Sequence, residues 1–371
     1  MNFKKLEDYL LELVDSTGGI DTQILIKKDG KEIYSFFGGF RDEAHKIPAA
    51  RGDCFYLYSL TKPLTCTAAM QLCERGLLDL NAPVHRYLPY FKNALVRDGD
   101  TVRPPKRDIL VWHLFSMQSG FNYDENYPAF QAGVAAGQNT RELLKTTVES
   151  IPFSFDAGER WQYCCRNHDT LGCLIEEISG MKFGDYLKKN IFEPLGIEHL
   201  VFNLDGYTKD RLAAIYRNDG DGFKSVPPVE TRGYTENYQS GGQGLIGDID
   251  SYSRFADAMA NYGSSYDGAE ILSREWVDIM RTDRLSDHNR ACFGYGAFGY
   301  GYGLGVRTLI DKQSGSLSPI GEFGWDGAAG GFTMFDTENR LSVAFLTHCL
   351  AGNEKLDQFK IRNLVYEALD E

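Results

Sequence analysis

Two side chains three positions apart, Ser59 and Lys62, stand where the strand-like run Phe55-Tyr56-Leu57-Tyr58 gives way to the apolar segment Leu64 to Arg75, which stops at Gly76. A serine hydroxyl is a weak nucleophile until a base takes its proton, and a lysine is that base only as the neutral amine. In the first turn of a helix the two side chains share a face. Serine is a favoured cap, Pro63 is tolerated in a first turn and Gly76 is a usual stop, so the signals predict a helix over about 59–75. Its residues Leu64, Cys66, Ala68, Ala69, Met70, Leu72 and Cys73 are apolar or small nearly all round, the mark of a helix buried on several sides. A lysine at its mouth is short of water and close to the positive end of the macrodipole, and both favour the neutral form.

Other residues compete for a chemical role. The spacing recurs at Ser179 and Lys182, after a helix end, where a surface turn accounts for it. Cys164 or Cys165 with His168 offers a thiol and a base, but two residues on one incipient helix lack a third, orienting group. No serine sits in Gly-x-Ser-x-Gly, which disfavours an α/β-hydrolase. Gly294, Gly296 and Gly299 spell Gly-x-Gly-x-x-Gly without an apolar strand before it or a helical pattern after it, so a dinucleotide loop is discounted. The eight cysteines are scattered, with no Cys-x-x-Cys, and no His-Glu-x-x-His occurs; the thiols read as reduced and mostly buried, and no metal or organic cofactor is implied.

Lys and Arg number 39 against 52 Asp and Glu, a formal net charge of −13. That balance argues against nucleic acid or an anionic membrane as partner. The first residues, with apolar positions 3, 6, 10, 13 and 14 between acids, predict an amphipathic helix and not a secretory signal. No run of ~18 apolar residues suggests a transmembrane span. The expectation is a cytoplasmic protein.

The elements that must position Ser59 come from both chain ends. Asp29-Gly30 between two β-rich runs, 23–28 and 31–37, signals a hairpin. Helices are predicted over 108–117 with Asp108 as cap, near 140–150, around Leu171, Leu174, Ile175 and Ile178, near 249–262, over 273–280 and over 355–369. Strands are predicted over 303–310, 319–325, 331–336 and 341–347. The reading is an α/β domain built from 1–63 and 226–371, a mostly helical domain over 64–225, and the active site at their interface.

Three separated pieces resemble the serine β-lactamase and penicillin-binding-protein fold, and within it the class C β-lactamase-like carboxylesterases called family VIII esterases. The first is Ser59-Leu60-Thr61-Lys62-Pro63 with its helix and Gly76-Leu77-Leu78-Asp79-Leu80. The second is Trp161-Gln162-Tyr163-Cys164, followed by Asp169, Leu171-Gly172, Glu176 and Ser179-Gly180. The third is Gly324-Trp325-Asp326-Gly327-Ala328-Ala329-Gly330, similar to the family's cleft-strand element. Leu114 to Gly120 and Gly241-Gly242-Gln243-Gly244-Leu245 add support. The resemblance spans nearly the whole chain and implies a β-lactamase-like α/β (α+β) fold, an antiparallel sheet flanked by helices plus a mostly helical domain.

It also implies roles. Ser59 is then the acylated nucleophile, Lys62 its base and Tyr163 the group that shares the proton and passes it to the leaving group. The backbone N–H groups of Ser59 and Ala328 form the oxyanion hole, and Trp325, Asp326 and Gly327 fall on the substrate-binding strand, where Trp325 either lines an acyl pocket or packs and Asp326 faces either the cleft or the strand's other side. Two departures matter: Cys165 stands where class C enzymes have the Asn of Tyr-x-Asn, and Trp325-Asp326-Gly327 replaces Lys-Thr-Gly. The missing lysine removes a cationic anchor for a substrate carboxylate. The expectation is a serine hydrolase for short or medium acyl esters; its rivals are a β-lactamase, a D-amino-acid peptidase or an acyltransferase on an amide or ester, and a non-catalytic ligand-binding member.

Overall fold

The computed structural model describes every residue except 124–126, 228–234, 236, 353–355 and 371. Its centre is a seven-stranded antiparallel sheet. The hairpin forms as predicted, from β1 (Thr22–Lys28) and β2 (Lys31–Gly38). Asp29 and Gly30 take φ of +49° and +76°, the left-handed pair that matches a two-residue turn to the twist of its strands. The other five strands come from the far end of the chain: β3 (Tyr300–Tyr302), β4 (Arg307–Leu309), β5 (Phe323–Gly324), β6 (Phe332–Asp336) and β7 (Leu341–Thr347). The spatial order is β3-β4-β5-β6-β7-β1-β2, with Thr22 opposite Thr347 and Lys28 opposite Leu341.

Both faces of this sheet are covered, and the side-chain alternation shows by what. Ile24, Ile26, Val343 and Phe345 pack with α1 (Lys4–Ser16) and α6 (Gln358–Asp370). Leu25, Ala344 and Leu346 point the other way, into the cluster that holds Phe255, Ala256 and Met259 of α5 (Ile249–Ala260). Residue 355, where the last helix is predicted to start, lies outside the described residues.

Beyond α5 lies the helical part. Its axis is α2 (Thr61–Glu74), whose residues 61–73 are all buried. It packs with α4 (Arg166–Ser179), through Leu64, Ala68 and Leu72 on one side and Leu171, Leu174 and Ile175 on the other. Gly76, at φ +70°, ends α2: its N–H reaches Cys73 O and the Leu77 N–H reaches Leu72 O, the paired bonds of a Schellman stop. The helix predicted near 140–150 is α3 (Thr140–Ser150), opened by a capping box between Asn139 and Glu142. Short ladders tie this part to the rest: Leu200–Val201 pairs with Ile246–Asp248, and Ile215–Asn218 with Cys349–Leu350.

Some predicted elements differ. The helix over 108–117 shrinks to Val111–Phe115, and Asp108 does not cap it; the His113 ring accepts the Leu110 N–H at 2.9 Å instead. The strands predicted over 303–310 and 319–325 are cut to three and two residues, because loops rich in Gly and Pro break the ladder between them.

Candidate active site

Before α2 the chain makes a tight 3-10 turn, Tyr58–Leu60, and only then becomes α-helical at Thr61. Ser59 is therefore not the side-chain cap that its position suggests. Its hydroxyl is used elsewhere: Lys62 Nζ lies 2.9 Å and Tyr163 Oη 2.5 Å from Ser59 Oγ. Tyr58, one residue earlier, has φ +48°, a conformation that costs a bulky L-residue about 1–3 kcal/mol and clusters at functional sites.

Lys62 is wholly buried. Besides Ser59 it donates to Gly242 O at 2.6 Å and to Cys165 Sγ at 3.3 Å, and it sits 4.6 Å from the centre of the Tyr163 ring. Burial, the largest influence, pushes the ammonium down, but Cys165 and Tyr163 when ionised push it up, and the balance lies above the ordinary lysine value. Burial alone favours the neutral lysine expected from the sequence; the two acidic neighbours, Cys165 and Tyr163, act against it. Burial also raises Tyr163, partly offset by the Lys62 charge. Both groups are thus shifted toward their protonated forms, and they titrate together as a pair.

Tyr163 has no regular element to carry it, so loops hold it. Met117 O accepts the Gln162 N–H at 2.9 Å, and Asn167 Nδ2, itself braced by Ser119 across a 2.6 Å bond to its Oδ1, donates to Cys164 O at 3.1 Å. The segment 114–120 therefore supports the tyrosine from behind. Gly241 and Gly242 explain themselves by approach: a Cβ on Gly241 would meet His168 O at 2.3 Å, and one on Gly242 would meet Cys165 Cβ at 2.6 Å. Asp169 anchors this loop by accepting from Ser240 Oγ and Tyr238 Oη, both at 2.7 Å, and from the Gly242 N–H at 3.2 Å.

The third sequence piece meets the other side of Ser59. A Cβ on Gly327 would lie 2.9 Å from Leu57 O, so the turn 327–330 that carries Ala328 is pressed against the Ser59 turn. Trp325 is buried, stacks on Tyr163 with ring centres 5.9 Å apart and lies edge-on to Tyr302 at 5.0 Å. Asp326, the next residue, turns to the opposite face of the strand. There it meets Arg362 at 3.0 Å and Arg307 at 3.7 Å, beside buried Glu322. A substrate-binding role for the Asp326 carboxylate is corrected on this geometry: it is spent on two arginines.

The competing residues are not assembled for chemistry. The ring nitrogens of His168 are buried and bond to neither thiol, while Cys164 Sγ faces Asn122 O. Ser179 Oγ bonds to Ile175 O in its own helix, and Lys182 is exposed. Two contributors were not singled out from sequence as site residues: the Gly242 carbonyl on Lys62, and Tyr123, whose Oη lies 3.1 Å from Cys165 Sγ. The Gly-Gly pair was the available signal for the first; Tyr123 left none.

A serine, a lysine and a tyrosine meeting where an antiparallel sheet faces a helical region is the arrangement of a class of serine hydrolases. The Beta-lactamase family model matches residues 6–365, and the chain belongs to that family. Among curated relatives, protein Rv1367c of Mycobacterium tuberculosis is 29% identical, over 87% of this chain and 86% of its own length. A putative D-alanyl-D-alanine carboxypeptidase of Salmonella typhi is 25% identical over 95% and 84%. Two solved structures share the fold at 24% identity. EstCE1, described as a hydrolase with promiscuous acyltransferase activity, has a TM-score of 0.81 over 98% of each chain. The LovD6 mutant of simvastatin synthase from Aspergillus terreus has 0.82, over 99% of this chain and 95% of its own. Among the described residues no helix is long and apolar enough to cross a membrane.

Proposed function

We propose that this β-lactamase-family chain hydrolyses short or medium acyl esters through an acyl-enzyme on Ser59. The observation that carries the reading is the Ser59 hydroxyl held between Lys62 Nζ at 2.9 Å and Tyr163 Oη at 2.5 Å. With one proton removed from the Lys62–Tyr163 pair, the pair accepts the Ser59 proton as Oγ attacks the ester carbonyl. The oxygen that becomes negative is taken by the Ser59 and Ala328 N–H groups, whose turns are packed together at Gly327. Tyr163 hands the proton to the departing alkoxide, which leaves as the alcohol. Water then attacks the acyl-enzyme, gives its proton to the same pair, and Ser59 is restored with release of the acid.

The preference for a neutral ester rests on the cleft strand. Trp325 occupies the place of the family's lysine, and Arg307 and Arg362 are both engaged by Asp326. An amide or β-lactam bearing a carboxylate therefore meets an aromatic surface at this point and not a free cation.

The test is intact-protein mass and product release after brief exposure to p-nitrophenyl butyrate and, separately, to a chromogenic cephalosporin, with wild type and Ser59→Ala. The expected result is Ser59-dependent nitrophenol release with a butyryl adduct, and a weak cephalosporin reaction. Fast cephalosporin turnover would install the β-lactamase reading, and full esterase activity in Ser59→Ala would remove the mechanism. A folded protein whose Ser59 resists a fluorophosphonate would instead be a ligand-binding member.

A further inference from the structure

Three acceptors surround the Lys62 nitrogen: Gly242 O, Ser59 Oγ and Cys165 Sγ, at 2.6, 2.9 and 3.3 Å. An ammonium satisfies all three with its three N–H bonds. A neutral amine has two and a lone pair, so one of the three partners must turn a hydrogen toward nitrogen. The Gly242 carbonyl has none to give. Tyr163, also a hydrogen-bond partner of Lys62, gives its hydrogen to Ser59 Oγ; the choice left is between the serine hydroxyl, which makes Lys62 the base, and the Cys165 thiol, which would occupy the lone pair and idle it.

The surroundings of the sulfur decide between them. Tyr123 Oη accepts the Cys165 backbone N–H at 2.9 Å and donates to Sγ at 3.1 Å. The thiol hydrogen has two oxygens to turn to, Gly242 O at 3.7 Å and Gln243 Oε1 at 3.8 Å. Sulfur thus gives its hydrogen away from Lys62 and presents lone pairs to it. We propose that Cys165, oriented by Tyr123, is a positioning residue that accepts from Lys62, keeps the amine lone pair on the Ser59 hydroxyl and governs how readily Lys62 gives up its proton. This rests on the hydrolase reading above.

The other titratable groups around Lys62 do not take over that role. Cys66 on the same helix is held as a thiol by burial, and His168 on α4 is held neutral by burial. Asp169 on α4 is occupied by Ser240, Tyr238 and Gly242. Tyr163, the remaining one, is already the partner of Ser59.

The test follows the rate at which an alkyl fluorophosphonate labels Ser59 across pH, together with ester hydrolysis, in wild type, Cys165→Ala, Cys165→Ser and Tyr123→Phe. Loss of the sulfur removes one of the acceptors that hold the proton on Lys62, so the limb on which reactivity rises should move about one pH unit downward in Cys165→Ala, with a plateau about tenfold lower. Tyr123→Phe should move the limb the same way, and Cys165→Ser, which keeps a donor and an acceptor, should recover most of the plateau. Tyr123 is exposed, so its variant serves if Cys165→Ala does not fold. Folded variants with an unmoved limb overturn the inference. A wild type unreactive at every pH overturns the hydrolase reading and this inference with it.

Discussion

In the proposed mechanism Ser59, Lys62 and Tyr163 divide one proton's path among three atoms, so losing any one of them should slow the reaction. Lys62→Ala and Tyr163→Phe are expected to lower kcat/KM for an acyl ester by about 10²–10⁴-fold, the usual worth of a placed acid or base, while thermal unfolding shows each variant folded. A wild-type rate in either would remove that residue from the mechanism. Because Lys62 and Tyr163 are both raised above their ordinary values, the form one proton short of the resting pair becomes more populated as pH rises. Hydrolysis should therefore increase with pH through the neutral range into the alkaline; a profile flat over that range would contradict the resting ammonium. At this scale the sequence was most legible where spacing alone carries meaning. Ser59 and Lys62 are neighbours because helical turns make them so, whereas the Gly242 carbonyl and Tyr123 reach the site from loops 180 and 42 positions from their partners, and no local pattern encodes that meeting.

Elements decide how closely those atoms are held. The Gly241-Gly242 loop is one such constraint, since it can bring a carbonyl to Lys62 only because neither residue has a Cβ. Gly242→Ala should force the loop off Cys165 and cost about 100-fold in kcat with little change in far-UV dichroism; retained activity would show that the carbonyl contact is dispensable. The amphipathic first helix, the Asp-Gly hairpin and the Gly76 stop were readable because each is a local pattern with a local cause. The helix over 108–117 was overdrawn for the opposite reason: a histidine ring, not the aspartate three residues ahead of the observed start, satisfies its first turn.

The whole molecule adds a dependence on acid. His348, between β7 and the short strand Cys349–Leu350, accepts the Tyr56 N–H through Nε2 at 2.7 Å while Nδ1 faces Ala213 O at 3.0 Å, an arrangement open only to the neutral ring. Burial lowers both His348 and His113 to about 4. In the unfolded chain they titrate near 6.5, so between about 6.5 and about 4 the unfolded state binds more protons. Their contribution is complete above about 6.5 and is lost as pH falls through about 4. Urea midpoints should drop between pH 7.5 and pH 5, and the drop should be smaller in His113→Gln; equal midpoints would refute the assignment. Since Tyr56 lies three residues before Ser59, loosening at His348 should also reach Ser59.

Thr22 lies opposite Thr347, and among the described residues β1 is flanked by β2 and β7 alone. During synthesis β1 and β2 leave the ribosome more than three hundred residues ahead of their partner, and a two-stranded hairpin is at best marginally stable alone. The order of translation therefore opposes the order of assembly: the central sheet closes only after Leu341–Thr347 has emerged, and until then the strand edges of β1 and β2 are left unpaired and open to wrong partners.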